Sequence, residues 1–335
     1  MSEQALTDER VTALVHDAAA APSMHNAQPW YFRYVRHSRT FELRADFERA
    51  MPHSDPRTRG LHLGCGAALL NLRVAAAHEG WYPQTRLLHE PADPALLASV
   101  RLSGPGSGET GSGVSGLGAL YPAIHERHSS RFPFEETEIP DAVRRALSEA
   151  ARLEGAVLTF PTSWHLQEVL DMVREAEARN LSDRGTDQDL AEWTRIDAPS
   201  VNMTDDGVPD YAFGPRMRGG KAPMRDFAGP RQVAGRGAAD FERNPQLALV
   251  STIHDRPEDW LRAGQAMERV LLLATLEGVS SSFATQPVEW TDLRWPLRDP
   301  VSGTGYTQML LRLGYGPKGP RTPRRPVSEV LDIRP

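Results

Sequence analysis

The chain has 335 residues, a formal net charge of −6 and a sequence pI near 6.0. That length exceeds one ordinary domain and points to two domains, or to two halves folded together. Hydrophobic residues make up 40% and charged residues 24%, enough for a substantial core, which excludes wholesale disorder. The acidic balance, with no dense Lys/Arg block, argues against a nucleic-acid partner.

Cys65 is the single cysteine, so an intramolecular disulfide is impossible and a reducing compartment fits. The opening stretch MSEQALTDER is acidic and polar, unlike a signal peptide. The longest apolar runs, such as VLLLATL at 270–276, fall short of the roughly 20 residues that span a bilayer. The expectation is a soluble, cytoplasmic protein with no membrane partner.

In chain order, Leu6 to Ala21 predicts a helix with Leu6, Val11, Leu14, Val15 and Ala18 on one face and Thr7 as a cap. Trp30–Val35 and Thr40–Ala45 predict strands. Arg59 to Gly80 is nearly all apolar and predicts a central helix, followed by strands near 84–89 and 97–102. SGPGSGETGSGVSG, at 103–116, contains a formal GxGxxG in Gly111, Gly113 and Gly116. A dinucleotide loop needs a strand running into the glycines and a helix opening at the last one, and the flanks here are more glycine and serine. This stretch is read as a linker or surface loop.

Helices are expected at 118–127, 139–154 and 163–180, with a strand at 156–160. Residues 196–237 are rich in Gly, Pro and Arg without sustained periodicity, which in a compact domain suggests a lid or an insertion. Strands at 247–252, 279–284 and 306–313 and a helix at 258–278 complete the pattern. There is an internal echo: GAALLNLRVAAAHEG (66–80) aligns without gaps on GQAMERVLLLATLEG (264–278). EIPDAVRRALSEAARLEGA likewise echoes LTDERVTALVHDAAAAPS in the same order, which favours duplication.

Three segments carry a resemblance. APSMHNAQPW (21–30) is similar to the APSxxNxQPW signature of FMN-dependent nitroreductases, ERHSSRFPF (126–134) to their RxSxR phosphate motif, and LGYGPKGPRTPRRPVSEVL to their closing strand and basic tail. In ordinary members RxSxR precedes APSxxNxQPW and two subunits build two sites. Here each half keeps one motif, which resembles the Acg-like branch of fused pseudo-dimers. The resemblance implies an α+β nitroreductase-like fold. Its two similar halves, 1–117 and 118–335, would each carry a mostly antiparallel sheet flanked by helices, packed as a monomer that mimics a dimer.

It also implies FMN as cofactor. A flavin phosphate wants permanently charged, bidentate donors. Arg127 and Arg131 flank Ser129, and Arg324 and Arg325 can arrive from the tail. Short polar groups at Ser23 and Asn26, in a turn set by Pro22 and holding Met24, can meet the polar edge of the ring system. Thr285 and Gln286, in SSSFATQPVE, are expected on the N5 side. Metal ligation by His125 and His128 lacks a third ligand, Cys65 has no nearby base, and GxSxG is missing. Two functions stand open. One is an oxidoreductase passing hydride from NAD(P)H to a small-molecule acceptor, such as a nitro compound or quinone. The other is an FMN-holding protein whose 196–237 segment, with Met203, Tyr211, Phe213, Met217, Met224 and Phe227, closes over the flavin.

Overall fold

The computed structural model describes residues 6–104, 116–196, 205–298 and 305–335. The glycines Gly111 and Gly113 of the formal GxGxxG, and Met203 of the expected lid, lie outside the described residues.

Helix α1 (Asp8–Ala19) starts where the Thr7 hydroxyl accepts the Arg10 amide, and it buries Val11, Leu14, Val15 and Ala18. Strands β1 (Trp30–Val35) and β2 (Thr40–Ala45) follow the predicted bounds, with Trp30, Phe32 and Tyr34 on the buried face. Helix α2 (Arg59–His78) has the length and apolarity of a membrane span, yet its apolar stretch is 83% buried inside the protein. Strands β3 (Tyr82–Leu87) and β4 (Leu96–Ser103) complete the first half.

The helix expected at 118–127 is instead a 3₁₀ stretch, Leu117–Ala123, because Pro122 has no amide to carry an α-helical ladder. Next come α3 (Asp141–Leu153), β5 (Val157–Thr159), α4 (Ser163–Asn180), α5 (Arg184–Glu192) and β6 (Thr194–Arg195). The expected lid holds the short strands β7 (Val208–Pro209) and β8 (Arg216–Gly219); β8 pairs with β9 (Ala238–Asp240). Then follow β10 (Gln246–Thr252), α6 (Pro257–Leu276), β11 (Ser280–Phe283) and the one-turn helices α7 (Gln286–Glu289) and α8 (Thr291–Arg294). The chain closes with β12 (Tyr306–Gly314), the one-turn α9 (Val327–Val330) and β13 (Leu331–Arg334).

Two main sheets result. The first has the order β13-β1-β2-β4-β3 and the second β11-β12-β10-β5. All neighbours in them are antiparallel except β1 and β13, which run parallel. Helix α2 lies on the first sheet, α6 on the second, and the two helices pack against each other. Likewise α1 packs on α2 as α3 packs on α6.

The α2/α6 crossing explains the sequence echo. A Cβ on Gly66 would come 2.4 Å from the Leu261 carbonyl oxygen, and one on Gly264 would come 2.2 Å from the Leu63 carbonyl oxygen. Leu63 and Leu261 each sit three residues before their glycine. Equivalent positions therefore meet reciprocally, as at a two-fold interface between identical subunits. The halves are not closed units, however. Splitting the chain at 117/118 assigns β13 to the second half, yet β13 pairs with β1, Phe32 opposite Leu331, and so completes the first sheet.

Candidate functional site

The RHSSR segment is extended. Ser129 bridges Ser281 in parallel, and the Ser130 amide donates to the Ser281 carbonyl at 2.8 Å. Arg127, His128, Ser129 and Arg131 all line one cavity, while the Ser130 hydroxyl turns to the Pro317 carbonyl at 2.6 Å. The basic tail crosses this segment at Gly319, where a Cβ would lie 2.0 Å from the Ser129 carbonyl oxygen. An i, i+4 pair in extended chain spans about 13 Å between Cα atoms, so Arg127 and Arg131 enter the cavity at separate points. Arg127 lies beside Arg324, and Arg131 beside Arg225.

The APSMHNAQPW turn packs three non-glycine residues with positive φ into four positions: His25, Asn26 and Gln28. Such backbone persists only when the surroundings over-determine it. The Ser23 hydroxyl accepts the Gln28 amide at 2.8 Å. Asn26 donates to the carbonyls of Gly207 (2.9 Å) and Pro323 (3.0 Å), and its oxygen accepts from Arg324 (2.8 Å). Gln28 donates to the Asp205 carbonyl at 2.8 Å and accepts the Arg325 amide at 2.8 Å. The two amides of the motif thus tie the expected lid and the tail to the first half. Ser23 and Asn26 lie at the cavity wall as predicted, but their side chains are engaged within the protein.

The cavity runs along the seam between the halves and holds about 1180 Å³, counted to its open mouth. Pro22, Ser23, Met24, Asn26, Arg127, Ser129, Arg131, Thr285 and Arg324, all among the residues expected to hold the cofactor, line it. Gln286 and Arg325 do not. Gln286 is fully buried behind the wall. The Arg325 side chain faces Asp46 and Glu329, each 3.5 Å away.

Five arginines line the cavity (Arg59, Arg127, Arg131, Arg225 and Arg324) against two carboxylates, Asp55 and Glu289. The potential inside favours an anion. At one end, burial and the neighbouring Arg127 push the Arg324 guanidinium down to about 9, which leaves it cationic at neutral pH. Arg324 is held by the carbonyls of Ala19, Ala20 and Ala21 and not by a carboxylate. Arg127 is 3% exposed; its Nη2 donates to the Ala20 carbonyl at 3.2 Å, and its Nε and Nη1 lack hydrogen-bond partners. Burial, then Arg127, Arg321 and Arg324, push His128 down to about 4.

At the other end Arg225 makes a two-pronged ion pair with Glu289, both contacts 2.6 Å, and donates to Nε2 of His25 at 3.0 Å. The pair is buried, 7% and 6% exposed. Burial, followed by Arg225 and Arg131, holds His25 well below its ordinary value, so it accepts as a neutral imidazole. Phe227 packs edge-on to His25 at 5.5 Å, and the Arg131 guanidinium stacks over Phe227 at 4.6 Å. Arg131 also donates to the Ala212 carbonyl at 3.0 Å.

Of the aromatic and methionine residues singled out in the expected lid, Met224 and Phe227 line the cavity and Phe213 is buried against Phe227. Tyr211 and Met217 remain about half exposed, with the Tyr211 hydroxyl donating to the Arg321 carbonyl at 3.0 Å. Sequence reasoning missed His25, Asp55, Arg59, Arg225 and Glu289. The signal for His25 was its place inside the motif; the others sit in stretches without a pattern. His125 does not pair with His128: it bonds Asp17 at 2.6 Å and stacks on His16. The Cys65 thiol donates to the Pro29 carbonyl at 3.2 Å and is pushed up by burial, as a packing residue is.

The Nitroreductase family profile matches residues 124–289, the part that carries RHSSR, α6 and Glu289. The Mycobacterium tuberculosis H37Rv protein named "Putative NAD(P)H nitroreductase Rv3131" is 31% identical over 332 residues, covering 97% of this chain and 91% of its own. From the same organism, "Putative NAD(P)H nitroreductase acg" is 28% identical over 338 residues, covering 100% of this chain and 98% of its own. A Serratia protein named "Probable NAD(P)H nitroreductase PigM" is 23% identical over 337 residues, covering 95% and 91%. The chain belongs to the nitroreductase family.

Proposed function

We propose that this chain is a monomeric, cytoplasmic flavoprotein that holds one FMN in the seam cavity and passes hydride from NAD(P)H to a nitro compound, quinone or similar small acceptor. The observation that carries the reading is the pair Arg127 and Arg324. Arg127 is buried and Arg324 half-buried at one end of the cavity, and Arg127 keeps two donor nitrogens without hydrogen-bond partners. A phosphate dianion suits such donors. Arg127, Arg324 and the Ser129 hydroxyl would hold the phosphate, and the wall from Pro22 to Asn26 with Met224 and Phe227 would enclose the ring system.

The flavin, when bound, supplies the two-electron hydride chemistry. The protein's part is to fix and shield it. Arg131, cationic and stacked on Phe227, stabilises negative charge at the lid end of the cavity. Phe227, Met224 and Val208 exclude water from that end. The α2/α6 crossing supports a monomer, because it already buries a surface of the kind two subunits would share.

A second reading is a protein that retains FMN with little turnover. The buried Arg225–Glu289 pair and the Phe227–His25 contact favour it, since they pin segment 205–237 across the face a nicotinamide needs. One experiment separates the two. The purified protein should carry a flavin spectrum with about one equivalent released by heat. Anaerobic NADPH or NADH should bleach it within seconds if the enzyme reading holds, and only over many minutes if the segment stays shut. A colourless protein that does not quench added FMN overturns both.

A further inference from the structure

Glu268 on α6 is 0% exposed, and neither carboxylate oxygen meets a well-formed hydrogen bond. A buried carboxylate so poorly satisfied is costly, and a nearby charge must hold it. That charge is Arg127, whose Nε lies 3.4 Å from Glu268 Oε1 at an angle too poor for a hydrogen bond. From α2 the fully buried Asn71 amide faces the carboxylate, also without a well-formed bond. From the tail Arg324 adds a second positive charge; His128 lines the cavity beside Arg127, and Arg321 acts on His128 and Arg324. Arg127 therefore has Glu268 behind it and the cavity in front of it. The carboxylate occupies no part of the cavity wall.

We propose that Glu268 is a positioning residue that orients Arg127 toward the cofactor phosphate and takes up a proton when that phosphate arrives. This rests on the phosphate end assigned above. In the free protein the arginine needs a counter-charge, and the ionised Glu268 provides it. A bound dianion brings more negative charge than Arg127 and Arg324 together neutralise while Glu268 stays ionised. The group with the least hydrogen bonding gives way: the carboxylate gains one proton from solvent and becomes neutral, and Arg127 turns wholly to the phosphate. Burial already pushes Glu268 up, ahead of the opposing pull of Arg127, which makes that proton easy to gain.

Cofactor binding then becomes proton-linked. The test is calorimetric titration of the full-length protein, stripped of flavin, with FMN at pH 8. There the free phosphate is a dianion, since its second pKa is about 6. Runs in two buffers of different ionisation enthalpy give the proton count. The parent should take up close to one proton per FMN. Glu268→Gln, which keeps the shape and removes the charge, should take up none. Its affinity at pH 8 should rise by roughly tenfold, because the phosphate no longer competes with a fixed anion. Riboflavin, which lacks the phosphate, should bind both proteins with no proton uptake. His128→Asn, which changes a cavity-lining residue, should keep the parent's proton count.

Equal proton counts for the parent and Glu268→Gln would overturn the proposal, as would loss of uptake in His128→Asn with retention in Glu268→Gln. If Glu268→Gln does not fold, parent uptake that persists with riboflavin is also fatal to it. A parent that binds neither flavin defeats the FMN reading itself, a different outcome from FMN binding without Glu268-dependent protons.

Discussion

At the α2/α6 crossing the two halves are alike; at the cavity they are opposites. In the crossing, Gly66 and Gly264 face each other's helices with reciprocal contacts, Gly66 on Leu261 and Gly264 on Leu63. In the cavity the first half contributes the strained turn at His25–Gln28 and the second contributes the arginines of RHSSR and the tail. Symmetric packing fixes how the halves sit, so each half can shed what the other supplies.

The largest way to break the comparison is Gly264→Ala. The added Cβ meets a backbone oxygen, which cannot rotate away, so the helices must part. We expect a loss above about 3 kcal/mol in urea unfolding, the upper range of overpacking. Gly66→Ala should cost about the same, and the double variant less than the sum, because one separation relieves both clashes. Strongly unequal single losses would mean the crossing is less symmetric than its contacts.

Glu289→Ala tests the lid end. It leaves the buried Arg225 with His25 and, among the carboxylates acting on it, the more distant Glu177, and should cost about 3 kcal/mol. Replacing both partners, Arg225→Met with Glu289→Met, should recover most of that loss while speeding flavin reduction by NAD(P)H. A double variant as unstable as the single one would show that the pair does more than neutralise itself.

Arg127→Ala tests the other end. Losing a charge-assisted contact of about 1.5–3 kcal/mol should weaken FMN binding ten- to a hundredfold, read by flavin fluorescence quenching. Lys should recover only part of it, because it lacks the planar fork. Arg131→Ala should affect reduction more than FMN affinity, since the structure separates the two arginines. Equal effects on affinity would return Arg131 to the phosphate end.

The smallest effect is in pH. His25 is held below its ordinary value, so below about pH 6.5 the unfolded chain binds a proton that the folded one resists. Stability should therefore fall as the pH drops from 6.5 toward 5, by up to about 1.4 kcal/mol per unit for this group. His62 and His128 act with the same sign, so the diagnostic is a difference: His25→Asn, which suits the left-handed backbone, should flatten the slope by about one proton. An unchanged slope would mean His25 titrates normally.

Much of this was legible in the sequence where one face of an element is buried. The strands Trp30–Val35 and Thr40–Ala45, and the helix from Ser163 to Asn180, have the bounds their periodicity predicts. The Gly66/Gly264 alignment was readable because reciprocal contact forces the same residue type at both places. Arg127 was singled out by the RHSSR resemblance, and Arg324 by the basic tail, which offered Arg325 equally. What escaped was set by distant partners. β13 is four residues long and only half buried, with nothing local to mark it as a strand. Arg225 and Glu289 lie 64 residues apart and meet only once the segment at 205–237 folds over. Arg127 and Arg131 stand four residues apart, a spacing that makes neighbours on a helix, but the segment that carries them is extended.

The strand β13 also sets a timetable. β1 takes its parallel neighbour from residues made some three hundred positions later, and the tail carrying Arg324 hangs between that pairing and the Gly319 crossing. While the nascent chain is still being made, β1 is an open edge, the kind that recruits foreign strands. The cavity end lined by Arg127 and Arg324 is likewise incomplete until the tail has been made. A chain shortened before residue 331 would leave the β1 edge unpaired, and such edges favour aggregation.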